Sequence, residues 1–190
     1  MCDIKLKSKI KLRKRIVYTD TARIECFYLF DYDKGIVGRF LYALKRSADK
    51  DLFEYASTLY CRCFPENFEG VVSFTPRKHA NIRNFGYDQV HKSCKNAAEK
   101  CGFQFVKLVA RRGLSRDQKN LNLVQRQKNV HGKFRVIKKD IPGNILLADD
   151  VLTTGSTFKE CANVLLRQNP NVKITGIFLA SRNLVGSSGE

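Results

Sequence analysis

From residue 69 onward the chain alternates short apolar runs with helical stripes, and this alternation restricts its fold more than any other feature. Val71-Val72-Ser73-Phe74 reads as a short buried strand ended by Thr75-Pro76. Val90, Cys94, Ala97, Ala98 and Cys101 share one face of a helix that Gly102 terminates. Phe103 to Val109 reads as a strand, and so does Ile145 to Ala148. Phe158, Cys161, Ala162, Leu165 and Leu166 have the spacing of an amphipathic helix, and Val172 to Ala180 closes the series. Strands alternating with helices predict an α/β fold, a mainly parallel sheet flanked by helices. Upstream, Ile24, Cys26, Tyr28 and Phe30 alternate as a strand over 23–31, and two helical stripes follow, through Leu44 and through Tyr60. Residues 4–12 alternate apolar side chains with lysine, a pattern that suits an edge strand and an unfolded basic arm equally. The expected organisation is an arm or edge strand over 1–22, one domain over 23–182 and a disordered tail over 183–190.

Charge narrows the class. The 35 Lys and Arg against 18 Asp and Glu give a net charge of +17. The excess is local: residues 5–15 hold seven bases and no acid, and residues 107–139 hold eleven bases with Asp117 as the one acid. The rest of the chain is electroneutral. An anionic ligand or partner is therefore expected. No apolar run approaches the ~20 residues that span a bilayer, and the basic start lacks the apolar stretch of a secretory signal, so a cytoplasmic location without a membrane span is expected. The seven cysteines show neither disulfide-framework spacing nor a C-x-x-C pair, and Cys94, Cys101 and Cys161 fall on apolar helix faces.

One stretch carries chemistry: Asp149-Asp150-Val151-Leu152-Thr153-Thr154-Gly155-Ser156-Thr157. It joins the strand ending at Ala148 to the helix through Phe158, at the carboxyl edge of the expected sheet, where parallel folds bind ligands. Adjacent ionised carboxylates repel, which favours a partner such as vicinal hydroxyls, a proton or a cation. A ribose supplies two neighbouring hydroxyl donors. The turn that follows offers backbone N–H groups, four hydroxyls and a helix N-terminus, a cradle for phosphate. Gly155 permits a positive φ there. Carboxylates followed by such a cradle describe a ribose 5-phosphate site. A plainer reading has Asp150 and Thr153 capping a helix with Asp149 solvated, although a cap needs only one short polar residue.

The stretch resembles the diphosphoribosyl (PRPP) binding motif of type I phosphoribosyltransferases. Leu41-Tyr42-Ala43-Leu44-Lys45, Gly86-Tyr87-Asp88-Gln89, and Gln118 through Arg126 to Asn129 and Phe134 occur in the order seen in ComF-like competence proteins. That resemblance covers residues 24–182. It implies the type I phosphoribosyltransferase fold and transfer of a 5-phosphoribosyl group from PRPP to an unidentified acceptor, with a role in DNA uptake. It assigns Asp149 and Asp150 to the ribose at the catalytic centre, and Thr153, Thr154, Gly155, Ser156 and Thr157 to the 5-phosphate. The diphosphate, carrying Mg²⁺ held mainly by the substrate, would meet Arg77 and Lys78 from the first loop. Arg111, Arg112, Arg116 and Lys119, from the segment in the position of the family's closing loop, would meet it too. The pattern departs in three places. The family's four-cysteine zinc module has no counterpart before Cys26, a "V-P-V-P" strand end reads Ser73-Phe74-Thr75-Pro76, and an arginine is replaced by Phe85. The ribose-phosphate end is thus intact and the leaving-group end altered. The alternative, from another class, is a non-catalytic PRPP sensor or a factor handling single-stranded DNA. The latter requires aromatic platforms beside the basic segments. Phe103, Phe105 and Phe134 are near enough in sequence, but their strand periodicity reads as core.

Overall fold

The computed structural model describes residues 11–77, 82, 86–112 and 132–182. In chain order the elements are β1 (Arg13–Tyr18), β2 (Arg23–Asp31), α1 (Ile36–Arg46), α2 (Lys50–Cys63) and β3 (Val71–Phe74). After these come α3 (Gln89–Cys101), β4 (Gln104–Phe105), β5 (Val109–Arg111), β6 (Phe134–Val136), β7 (Asn144–Leu152), α4 (Ser156–Gln168) and β8 (Lys173–Ser181). Six strands form one sheet in the order β1-β2-β8-β7-β3-β4, and β5 and β6 form a separate antiparallel ribbon. Every pairing in the large sheet is parallel except β1 on β2. This is the α/β architecture expected from the alternation.

The central strands are apolar on both sides because both sides are covered. Along β7, Ile145 and Leu147 point into one core with Phe158, Cys161 and Leu165 of α4. Leu146 and Ala148 point into the other, with α1, α2 and α3. Each helix buries the stripe its spacing announced: Leu41 and Leu44 on α1, Val90, Cys94, Ala97 and Ala98 on α3, and Phe158, Cys161, Ala162, Leu165 and Leu166 on α4. The last turn of α3 ends on Gly102, as expected. Cys94 and Cys161 are fully buried, while Cys101 is partly exposed. No helix among the described residues is long and apolar enough to cross a membrane.

Two expectations are corrected. The single strand over 103–109 is two short strands. Once Val106 N–H has donated to the Val72 carbonyl, the chain leaves β3, and Leu108 and Val109 drop into the α4 core and join the ribbon. β7 does not stop at Ala148 but pairs with β8 as far as Leu152 opposite Ser181. Both aspartates therefore stand on the strand and not in the loop. At the other end of the sheet, Arg13, Lys14 and Arg15, the end of the basic stretch, belong to an edge strand with partners. Arg13 pairs with Asp31, Lys14 Nζ lies 2.6 Å from Glu25, and Arg15 reaches carbonyls at the far end of the chain. Residues 5–10 and 183–190 lie outside the described residues.

Candidate functional site

Successive residues of a strand point to opposite faces, so the neighbouring aspartates do not form a side-by-side pair. Asp150 turns toward the helical layer of α1 and α3. Its Oδ2 lies 3.0 Å from Lys45 Nζ and accepts from Gln89 Nε2 at 2.9 Å. Asp150 is 8% exposed and Gln89 3%, so this carboxylate is desolvated but doubly bonded. Asp149 turns to the opposite face. One of its oxygens accepts from the Asp150 N–H at 2.9 Å, and the Thr75 hydroxyl also donates to it. Burial, followed by the field of Asp150, raises the Asp149 pKa far above the ordinary carboxylate range, and the bonds from Thr75 and Asp150 N–H only partly oppose this. The repulsion expected of two ionised neighbours thus shows in two ways: the Asp149 pKa is pushed up, and Asp150 has Lys45 as its partner. Beneath them the Tyr60 hydroxyl donates to the Asp149 backbone carbonyl at 3.0 Å and fixes the strand from the α2 side.

Beyond Leu152 the chain turns through Thr153 and Thr154 to Gly155, whose φ of +75° places it in the left-handed region. A side chain there would be strained and would also meet Leu152 Cδ1 at 3.3 Å. Gly155 is the N-cap of α4 and brings no side chain to the cap. The reading in which Asp150 and Thr153 cap the helix is therefore not what forms. The Ser156 N–H leans on the Thr154 hydroxyl at a long 3.4 Å. A helix start with this little internal satisfaction presents N–H donors and the positive end of its dipole outward.

A cavity of about 390 Å³ gathers these parts. Asp149, Asp150, Thr153, Gly155, Ser156 and Thr157 line it, and Lys45, Arg77 and Arg111 supply its cations. Arg111 arrives from the ribbon, with Nε donating to the Pro76 carbonyl at 2.9 Å and its guanidinium 4.5 Å above the Phe134 ring. Arg77 is held by its own N–H on Asp88 (2.9 Å) and by Nη2 on the Lys45 carbonyl at the end of α1 (3.1 Å). Thr154 and Arg112 do not line the cavity. Arg112 is exposed just past β5, where its N–H pairs with the Lys133 carbonyl. Lys78, Arg116 and Lys119 lie outside the described residues. Lys45 and Gln89 were absent from the sequence-derived site, although both stand within segments that carry the family resemblance. Their signal was position in those segments, not chemistry. The altered strand end has a local use: the Thr75 hydroxyl serves Asp149, and buried Ser73 accepts the Leu108 N–H at 3.4 Å.

The donor set suits an anion bearing hydroxyls better than a resident metal. Among the described residues no cluster of three or more His, Cys, Asp or Glu side chains is placed to hold a metal ion. Mg²⁺ usually keeps several waters and binds through substrate phosphates with one or two carboxylates. An ion of that kind would find Asp149 and Asp150 as nearby carboxylates here and would take its other ligands from water or a bound anion. The buried thiols are chemically quiet, with Cys26 and Cys63 pushed up to about 12 by burial.

No family model matches the sequence, and no curated protein matches it, so membership of the ComF-like group is not established by those routes. The fold is similar to several solved structures, three of them as follows. One is the allosteric regulatory enzyme of purine biosynthesis (15% identity, 73% of this chain and 29% of that one, TM-score 0.48). Another is the glutamine PRPP amidotransferase from B. subtilis complexed with ADP and GMP (12% identity, 87% and 35%, TM-score 0.47). The third is the orotate phosphoribosyltransferase from Aeropyrum pernix (15% identity, 94% and 79%, TM-score 0.43). The chain spans about a third of the length of either of the first two.

Proposed function

We propose that the cavity binds the ribose 5-phosphate portion of PRPP and that the protein is a phosphoribosyltransferase of the type I class. The observation that carries the reading is one cavity lined both by the carboxylates at the end of β7 and by the uncapped turn at the start of α4. Ribose hydroxyls would donate to Asp150 and Asp149. The 5-phosphate would take the N–H groups and hydroxyls of Thr153–Thr157. Lys45, Arg77 and Arg111 would face the diphosphate, and Mg²⁺ would enter with that group and neutralise its charge. The acceptor's lone pair forms the new bond to C1 as the C1–O bond breaks, diphosphate leaves with that electron pair, and the acceptor loses its proton. Catalysis of this kind is positioning plus electrostatic stabilisation of the departing charge. The role in DNA uptake belongs to this proposal through the sequence resemblance alone. The single-stranded DNA reading draws no support from the described aromatics. Phe134 is buried, and Phe103 and Phe105 pack on Phe64, Phe68, Phe74 and His91.

Titration calorimetry of PRPP with Mg²⁺ tests the site. The wild type should bind, and Asp149→Ala with Asp150→Ala should lose at least about tenfold in affinity, the equivalent of ~1.4 kcal/mol. Equal affinity in both proteins, or none in either, refutes the assignment. Diphosphate release in the presence of candidate bases then separates an enzyme from a sensor that binds without turnover.

A further inference from the structure

The basic edge strand is joined to the candidate phosphate turn. Arg15 Nη1 on β1 donates to the Thr153 carbonyl at 3.0 Å and to the Arg182 carbonyl at 3.2 Å, and lies 3.4 Å from Ser181 Oγ. One guanidinium thus straddles the ends of β7 and β8, which are also joined by Arg182 N–H on the Leu152 carbonyl (2.9 Å) and Ser181 Oγ on the same oxygen (3.3 Å). Two residues further along β1, the Val17 methyls lie 3.7 Å from where a Gly155 side chain would begin. The turn after β1 then grips α4: Asp20 N–H donates to buried Asn163 Oδ1 at 3.1 Å, and the Asp20 carboxylate lies 3.7 Å from Lys159 Nζ. The strand therefore holds the loop, the glycine and the helix that together form the cradle.

We propose that Arg15 is a positioning residue for phosphate binding. It holds the Thr153 carbonyl, so that the turn that follows keeps Gly155 and Ser156, which line the cavity, in place for the anion. This rests on the reading of the cavity as a ribose 5-phosphate site. All described peptides are trans, and a trans peptide carries its N–H opposite its C=O. Fixing the Thr153 oxygen against Arg15 thus sets the plane of the peptide that leads into Gly155 and Ser156. The two N–H bonds of Nη1 satisfy the two carbonyls at once, while the guanidinium charge opposes the partial negative charge gathered there. A lysine would supply the charge on a flexible stem without the planar, more weakly hydrated guanidinium.

The test compares ribose 5-phosphate and inorganic pyrophosphate, each titrated into the full chain as wild type, Arg15→Ala and Arg15→Lys. The amide resonances of residues 153–157 are followed by NMR in parallel. Arg15→Ala should weaken ribose 5-phosphate about tenfold, change pyrophosphate less than about twofold, and abolish the ligand-induced shifts of the Gly155 and Ser156 amides. Arg15→Lys should fall between Arg15→Ala and the wild type, and it carries the comparison if Arg15→Ala does not fold. Equal weakening of both ligands with a lowered thermal midpoint would make Arg15 a fold-stabilising residue only and overturn the proposal. Wild-type binding with unchanged affinity in the variants overturns the proposal alone. No ribose 5-phosphate binding by the wild type overturns it together with the reading of the cavity.

Discussion

Replacing Lys45 by methionine is a sharp test of how the buried carboxylate of β7 is held. The change keeps the aliphatic length on α1 and removes the ammonium 3.0 Å from Asp150 Oδ2. A hydrogen bond to a charged group contributes about 1.5–3 kcal/mol. The Asp150 side chain is 12% exposed and that of Lys45 37%, so one end of the pair is open to solvent, and screening reduces this to about 1–1.5 kcal/mol. Gln89 still donates to the same oxygen at 2.9 Å, which prevents the larger loss expected of a stranded buried charge. A double-mutant cycle with Asp150→Asn isolates the pair. Urea denaturation at pH 7 should give a coupling energy of about 1 kcal/mol, and added salt should reduce it only modestly because the carboxylate end is buried. A coupling within the ~0.3 kcal/mol of ordinary additivity, or a Lys45→Met protein more stable than the parent, would refute the argument that Lys45 is the counter-ion of Asp150.

Other expectations follow from the same geometry. Asp149 has its folded pKa raised to about 8 against about 3.9 in an unfolded chain. Its contribution to stability is therefore fully present below about pH 4 and lost as pH rises toward about 8. Asp149→Asn, which keeps the acceptor oxygen, should gain on the wild type progressively over that window, and urea midpoints at pH 5 and pH 8 check the trend. Gly176→Ala would drive a methyl to 2.5 Å from Cys26 Sγ and 2.9 Å from Phe178 Cε2 in the core. It should cost about 1–3 kcal/mol, and a Cys26→Ala background should recover part of that loss in thermal unfolding. Asp49→Ala removes the N-cap of α2, whose carboxylate accepts from Asp51 N–H at 2.8 Å. The expected cost is about 1 kcal/mol by chemical denaturation.

The elements legible in the sequence are those whose periodicity reports a local fact. Ile24, Cys26 and Tyr28 alternate because β2 sends them into the α4-side core, while Phe27 and Leu29 face the other, and strand and reading coincide over 23–31. The stripe on α4 was legible for the same reason. The split of residues 103–109 was not, because alternation looks the same whether a strand keeps one partner or changes to another. The length of β7 was hidden likewise: its apolar run ends at Ala148, but its last residues are held by β8, whose sequence lies more than twenty residues away. With the strand carried to Leu152, period two alone would have sent the aspartates to opposite faces. Arg15 was the least legible of all. A basic run reads equally as an arm and as an edge strand, and the carbonyls that engage this residue, 138 and 167 positions away, leave no trace in local composition.

The sheet order has a consequence for how such a chain matures. β8 alone connects β2 to β7. Until it is in place the large sheet is two fragments, the β1–β2 hairpin and the trio of β7, β3 and β4, each with an open edge. Synthesis delivers β8 after every other described strand, and pairing over so great a separation forms slowly. The ends of β7 and β8 that Arg15 joins meet only at that step. The turn after β7 therefore takes its final shape with closure of the sheet, not before it.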